Sequence, residues 1–262
     1  MIKRSVAALS GAFLCLALGG CAFFQDTPQE SQAEPTAKAG ASRLQAYELD
    51  GGRFLAAPPT TFSSEQKADE EALLSTLSLR EMDVGKKAAA DMDLDVFWRL
   101  MDRYSSVTGR TLTPKALPET HELLMSTWVA ARRAARAADS RYPRKRPWVD
   151  FLPSDETCRP DLKARAGAKN SYASSFVTRV WSVALALAAI LPNRADALIV
   201  EAVSITNSRW ICGLGWKSDI EAGRVLGAVV YSRLSSEPDY QEQMRKARAE
   251  LQGGVKQYQA TR

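Results

Sequence analysis

Three groups of residues in this chain carry side chains suited to anion chemistry. The first is Ser208-Arg209-Trp210-Ile211-Cys212-Gly213-Leu214-Gly215-Trp216-Lys217-Ser218-Asp219, a polar run set between two apolar helical segments. A serine and an arginine at one end and an aspartate at the other can hold an anion and orient a base. The second is Arg132 to Arg146, with Arg132, Arg133, Arg136, Arg141, Arg144, Lys145 and Arg146 against a single acid, Asp139. Such a run is either a solvated helix face or a surface that ion-pairs with anionic lipid headgroups or other polyanions. It lacks the series of interleaved aromatics of a nucleic-acid platform, so no nucleic acid is expected as a partner. The third is the hydroxyl-rich stretch Ser171-Tyr172-Ala173-Ser174-Ser175-Phe176-Val177-Thr178.

What these groups lack is a base. The chain has one histidine, His121. It lies 18 residues before Asp139, about 27 Å along the axis of a continuous helix at 1.5 Å per residue. With no second histidine to pair with, it reads as a surface or helix-start residue, and no metal site or cofactor is implied. Ser174, Ser175 and Ser208 are the hydroxyl candidates for a nucleophile, and no histidine is placed to activate them.

The elements that must position these groups are helical. Ser64 to Leu79 has Glu-rich first-turn chemistry behind Ser63, with Ala72, Leu73, Leu77 and Leu79 on one apolar face. Leu94, Phe97, Trp98, Leu100 and Met101 form a second stripe. Pro118 with Glu119 opens a third helix, through Leu123, Leu124, Trp128 and Val129 towards Ala138. Trp181 to Ile190, Ile220 to Val230 and a last amphipathic segment from Pro238 to about Leu251 complete the pattern. Nothing alternates with period two over any length, so the fold class expected is all-α. Ala222, Gly223, Gly227 and Ala228 suit a helix that packs closely on a neighbour.

The N-terminus reads as a targeting segment. Lys3 and Arg4, which contribute to the formal charge of +5, precede an apolar run from Val6 to Leu18 and then Leu18-Gly19-Gly20-Cys21. The run is short for a membrane span, and the order fits a bacterial lipoprotein signal in which Cys21 is acylated and becomes the new N-terminus. Ala22 after the cysteine resembles Gram-negative lipoproteins of the outer membrane, so a lipid-anchored protein facing the periplasm is expected. Residues 22–61, rich in Ala, Gln, Pro, Ser and Thr, read as a flexible tether with a reach of roughly 35 Å, and 62–262 as the folded domain. With Cys15 cleaved and Cys21 acylated, Cys158 and Cys212 remain as partners for a disulfide in an oxidising compartment.

The central run resembles the S-R-x5-H-x3-D signature of the class A bacterial non-specific acid phosphatases, within the type 2 phosphatidic acid phosphatase and vanadium haloperoxidase superfamily. Two more motifs follow in order. Arg146-Pro147 matches the end of K-x6-R-P, with Asp139 at the lysine position. Residues 171–177 align with S-Y-P-S-G-H-T, where Tyr172 and Ser174 match and Phe176 stands for histidine. The resemblance runs from about residue 50 to 252 and implies a helical bundle of the acid phosphatase/haloperoxidase type, with cysteines in corresponding places.

By that resemblance one histidine attacks phosphorus, an aspartate orients it, and a second histidine protonates the leaving alcohol. Lysine, arginines, serine and backbone amides stabilise the charge on phosphate. Carried across, Arg146, Ser174, Ser208, Arg209 and Asp219 remain as a remnant phosphate pocket. The nucleophile, the general acid and the lysine are replaced, at Gly215, Phe176 and Asp139. Losing a nucleophile alone costs a hydrolase about a million-fold in turnover. An aspartate in place of the lysine puts a like charge about 4 Å from phosphate, at a cost on the order of 1–4 kcal/mol. The expectation is a non-catalytic pseudophosphatase with a binding or scaffolding role. Its rival is a periplasmic phosphomonoesterase with residual or rerouted chemistry. In the degenerate pocket, Arg146 and Arg209 are expected to pair with Asp139 and Asp219.

Overall fold

The first described helix, α1 (Ser64–Leu74), begins where the capping chemistry places it: the Ser63 hydroxyl accepts from the Gln66 amide at 3.1 Å. It stops short of Leu79. The Ser75 and Thr76 hydroxyls bond back to the Ala72 and Leu73 carbonyls, and three-residue turns carry the chain on to Met82. In this computed structural model the described residues are 49–152, 157–163 and 167–260. The signal segment, Cys15, Cys21 and most of the tether lie outside them.

Next comes α2 (Asp83–Asp91), which the apolar pattern does not mark because it buries only Gly85, Ala88 and Asp91. Helix α3 (Phe97–Thr108) buries the stripe read from the sequence and ends on Gly109, whose φ of 67° is the left-handed cap a glycine adopts most easily. Helix α4 (Pro118–Arg141) is continuous, with its proline in the first turn. Its N-terminal amides are capped from far along the chain, Glu119 N and Thr120 N donating to the Glu250 carboxylate at 3.1 and 2.9 Å. A short turn, α5 (Pro147–Asp150), leads into the loop that carries Cys158.

Helix α6 (Ser175–Ile190) is apolar nearly all round and forms the hub of the bundle. It packs against α4, α7 (Ala195–Ile211) and α8 (Lys217–Ser235). A methyl group added at Gly223 would come within 2.8 Å of Val177 Cβ, and one at Gly227 within 3.0 Å of the Thr178 carbonyl, so these glycines set how closely α8 approaches α6. Helix α9 (Pro238–Ala260) closes the bundle over α4. Among the described residues there is no strand, only an isolated bridge between Arg144 and Asn170. The all-α helical bundle expected from the pattern is the fold observed. No described helix is long and apolar enough to cross a membrane.

The folded body begins before the compositional boundary at Thr61. Residues Gly51–Phe54 form a 3-10 turn packed on α4, where a side chain at Gly51 would meet the Ala134 carbonyl at 2.3 Å. The Tyr172 hydroxyl donates to the Ala56 carbonyl at 2.6 Å. Polar composition hides this strap because its anchoring is made by backbone and glycine contacts, which leave no apolar period.

Candidate active site

At the centre is Gly215, in the turn between α7 and α8. A Cβ built there meets only ordinary contacts: Ile220 Cδ1 at 3.6 Å, Asp219 Oδ2 at 3.8 Å and Arg209 Cγ at 4.0 Å. A side chain at this position would thus stand between an aspartate and an arginine. The two neighbours are in very different states.

Asp219 is fully buried and every oxygen is used. Oδ1 accepts from Arg144 Nη1 at 2.6 Å. Oδ2 accepts from the Trp216 amide at 3.0 Å and, through a very short bond, from the Ser171 hydroxyl. Burial pushes its carboxyl above the usual range, while Arg144 and Ser171 pull the other way. Arg144 also donates to Ser218, and its other nitrogen to Gln66 at 2.7 Å and Asp69 at 2.8 Å. This buried bridge ties α1 to the start of α8. The expected partnering is therefore corrected: the arginine on Asp219 is Arg144, two residues before Arg146, because the loop after α4 turns that side chain inward and directs Arg146 to backbone carbonyls.

Arg146 donates to the carbonyls of Gly167, Asn170 and Leu214 at 3.0, 2.7 and 2.6 Å. Burial pushes its guanidinium down to about 9, with further repulsion from Arg209. Asp139 feels the charge of Arg146, but its Oδ1 is buried and accepts no hydrogen bond; burial raises its carboxyl. Arg209 departs furthest from the expected pairing. It is 6% exposed, its Nε has no partner, and its guanidinium carbon lies 5.5 Å from the Phe176 ring centroid. Its side-chain polar contact is weak, Nη1 to Met92 Sδ at 3.8 Å. Burial lowers its pKa, Asp95 opposes and Arg179 adds to the shift.

The remaining motif residues face elsewhere. Ser174 caps α6 by accepting from the Val177 amide at 3.4 Å. Ser208 donates to Asp91 at 2.7 Å, in a cluster that Lys87, Arg103 and Glu201 complete. Phe176 is buried against Arg209. His121 packs edge-on against Phe97 with ring centroids 5.3 Å apart, one helix length from Asp139. Cys158 and Cys212 are bonded, and Cys158 N also donates to the Cys212 carbonyl at 3.1 Å. The basic segment divides. Arg144 and Arg146 turn inside, whereas Arg133, Arg136, Arg141 and Lys145 stay exposed, Lys145 paired with Asp150 at 2.8 Å.

Comparison with characterised proteins fixes the family. A non-specific acid phosphatase of Salmonella typhimurium is 33% identical over 199 residues, covering 76% of this chain and 78% of the relative. The chain belongs to the non-specific acid phosphatase family. A member from Providencia stuartii is 30% identical over 208 residues, with 78% and 81% covered. An acid phosphatase of Zymomonas mobilis is 28% identical over 240 residues, spanning 92% of this chain and 90% of its own. No family model matches the chain.

Within this acid phosphatase relative, sequence reasoning missed Arg144, Asp69, Gln66 and Ser171. Asp69 and Gln66 come from α1, about 150 positions before Asp219 in the chain, so no local spacing could signal them. Arg144 stood in plain view within the basic run; its shift from the charged surface to the core is decided by Gln66 and Asp69, which meet it only in the folded chain. Asp95 and Arg179, also missed, form an ion pair beside Arg209, with Arg179 Nε on the Ser175 carbonyl at 3.1 Å and its guanidinium 4.2 Å over Trp128.

Proposed function

We propose that this acid-phosphatase-like protein is a non-catalytic pseudophosphatase that acts by binding. The observation that carries the reading is the absence of an imidazole where phosphoryl transfer needs one. The sole histidine, His121, is held against Phe97 some 27 Å along α4 from Asp139. Gly215 presents no side chain to Asp219, whose orienting oxygen is engaged by Ser171 and the Trp216 amide. The hydroxyls offer no substitute: Ser174 is a helix cap, Ser208 is spent on Asp91, and Ser171 is fully buried.

The test is p-nitrophenyl phosphate hydrolysis by the purified full chain between about pH 4 and 8, beside a variant carrying Asp139→Lys, Phe176→His and Gly215→His. The native chain is expected at background and the triple variant above it. Gly215 has the room this needs, since a Cβ there meets nothing closer than 3.6 Å. Turnover by the native chain well above a heat-inactivated control would establish the rival, a phosphomonoesterase with rerouted chemistry.

The reading includes a place in the cell: an outer-membrane lipoprotein facing the periplasm, acylated at Cys21. The order of Lys3-Arg4, apolar run and Leu18-Gly19-Gly20-Cys21 supports it. Fatty-acid labelling that persists in Cys21→Ser would sink it. The exposed part of the basic segment, Arg133, Arg136, Arg141 and Lys145, is the complementary surface for anionic headgroups at that membrane.

A further inference from the structure

Beside the motif residues lies a crevice of about 190 Å³ with Arg209 at its base. That volume is well under the roughly 300 Å³ at which pockets for drug-sized ligands begin, so an occupant is small. Arg209 enters it with 94% of its surface buried and its Nε unpartnered among the described residues. A buried guanidinium without a carboxylate is costly, and it is what a site that takes its anion from outside would present. The nearest acids form no hydrogen bond to it: Asp93 is held by Arg99 at 3.3 Å and Arg159 at 3.0 Å, and Asp95, whose charge Arg209 feels, is held by Arg179.

The geometry points to this crevice as a binding site for a small monocarboxylate with an apolar, ring-sized body, its carboxylate on the Arg209 fork. The inference rests on the non-catalytic binding reading and names the ligand class. A single negative charge matches the single unpartnered guanidinium, and two oxygens in a plane match its geometry. A phosphate dianion would bring a second charge towards Asp93 and Asp95, and the other cation on the lining, Arg99, is already held by Asp93. Besides the charged residues Asp93, Asp95 and Arg99, the lining is Met92, Val96 and Leu162, with Trp98 46% exposed at the rim, and these four side chains offer the contact surface for a hydrocarbon body.

The experiment is isothermal titration of the full chain at about neutral pH and fixed ionic strength with two probes, sodium benzoate and inorganic phosphate. Benzoate is expected to bind at least about tenfold more tightly than phosphate, and Arg209→Gln to weaken benzoate by about tenfold or more. Arg209→Lys keeps the charge without the fork and should restore only part of the loss. Asp95→Asn should improve phosphate several-fold and benzoate little. If Arg209→Gln fails to fold by circular dichroism, Val96→Trp, which fills the crevice from a half-buried wall, should abolish benzoate binding instead. Phosphate binding as tight as benzoate, no benzoate binding, or benzoate binding that survives either substitution overturns the assignment. The hydrolysis assay stands apart: turnover by the native chain defeats the non-catalytic reading, whereas a silent chain that ignores benzoate defeats only the crevice assignment.

Discussion

Two charged groups flank Gly215, and the fold treats them in opposite ways. On one side Asp219 is locked by Arg144, Ser171 and the Trp216 amide, with Asp69 and Gln66 completing the shell around Arg144. On the other, Arg209 is also buried, but its side chain has a sulfur and an aromatic face as close contacts and no hydrogen-bonded carboxylate among the described residues. A buried ion whose hydrogen bonds are all made contributes to a unique packing, and removing one partner exposes its full desolvation cost. A buried ion left unpaired is a standing cost that only a ligand or a relaxed fold relieves. On the proposed reading, the Asp219 side is structural and the Arg209 side is the one that binds.

The largest expected effect tests the structural side. Asp219→Ala leaves Arg144 with one carboxylate fewer in the core and should destabilise the chain by about 3–5 kcal/mol in denaturant unfolding. A loss under about 1 kcal/mol would mean that Asp69 alone suffices and that the two sides do not differ. Next is the disulfide, whose cysteines are separated by 54 positions and whose loop holds both Ser171 and Arg209. Removing it with Cys158→Ala and Cys212→Ala should cost up to about 4 kcal/mol by freeing the unfolded chain, and should add to the Asp219→Ala cost rather than replace it.

Arg209→Met sharpens the contrast because the expected sign reverses. Losing an unpaired buried charge for an apolar side chain of similar length should leave stability unchanged or raise it by about 0–2 kcal/mol. A loss comparable to that of Asp219→Ala would show that Arg209 is structural too. The smallest effect uses His121 as a distant control. Its burial lowers the pKa from 6.5, so the unfolded chain takes up the proton first as pH falls. Its contribution is fully present above 6.5 and is lost as pH falls from there through the lowered pKa of the folded chain; His121→Asn should flatten the stability profile below 6.5. The stability differences of Asp219→Ala and Arg209→Met from the parent should be unaffected by that substitution.

Much of this was legible in the chain. The Phe97 and Leu123–Trp128 stripes, the Ser63 cap, the proline at the start of α4 and the small residues of α8 are local signals, and each marks an element that the structure contains. Three elements were not legible. Helix α2 buries small and polar residues, so it carries no apolar period; the strap at Gly51–Phe54 is held through backbone contacts; and α1 ends early because Ser75 and Thr76 bond to the preceding carbonyls.

The order of the motif residues and the helical class of the fold are read from the chain alone, because each is a matter of residue type and short-range spacing. Only the tertiary structure decided which arginine meets Asp219 and which is left alone. Arg144 and Arg146 are two positions apart in a basic run, and nothing local separates their roles. The choice falls to Asp69 and Gln66 on a helix far away in the chain, which reach Arg144 and not Arg209 once α1 packs over the start of α8.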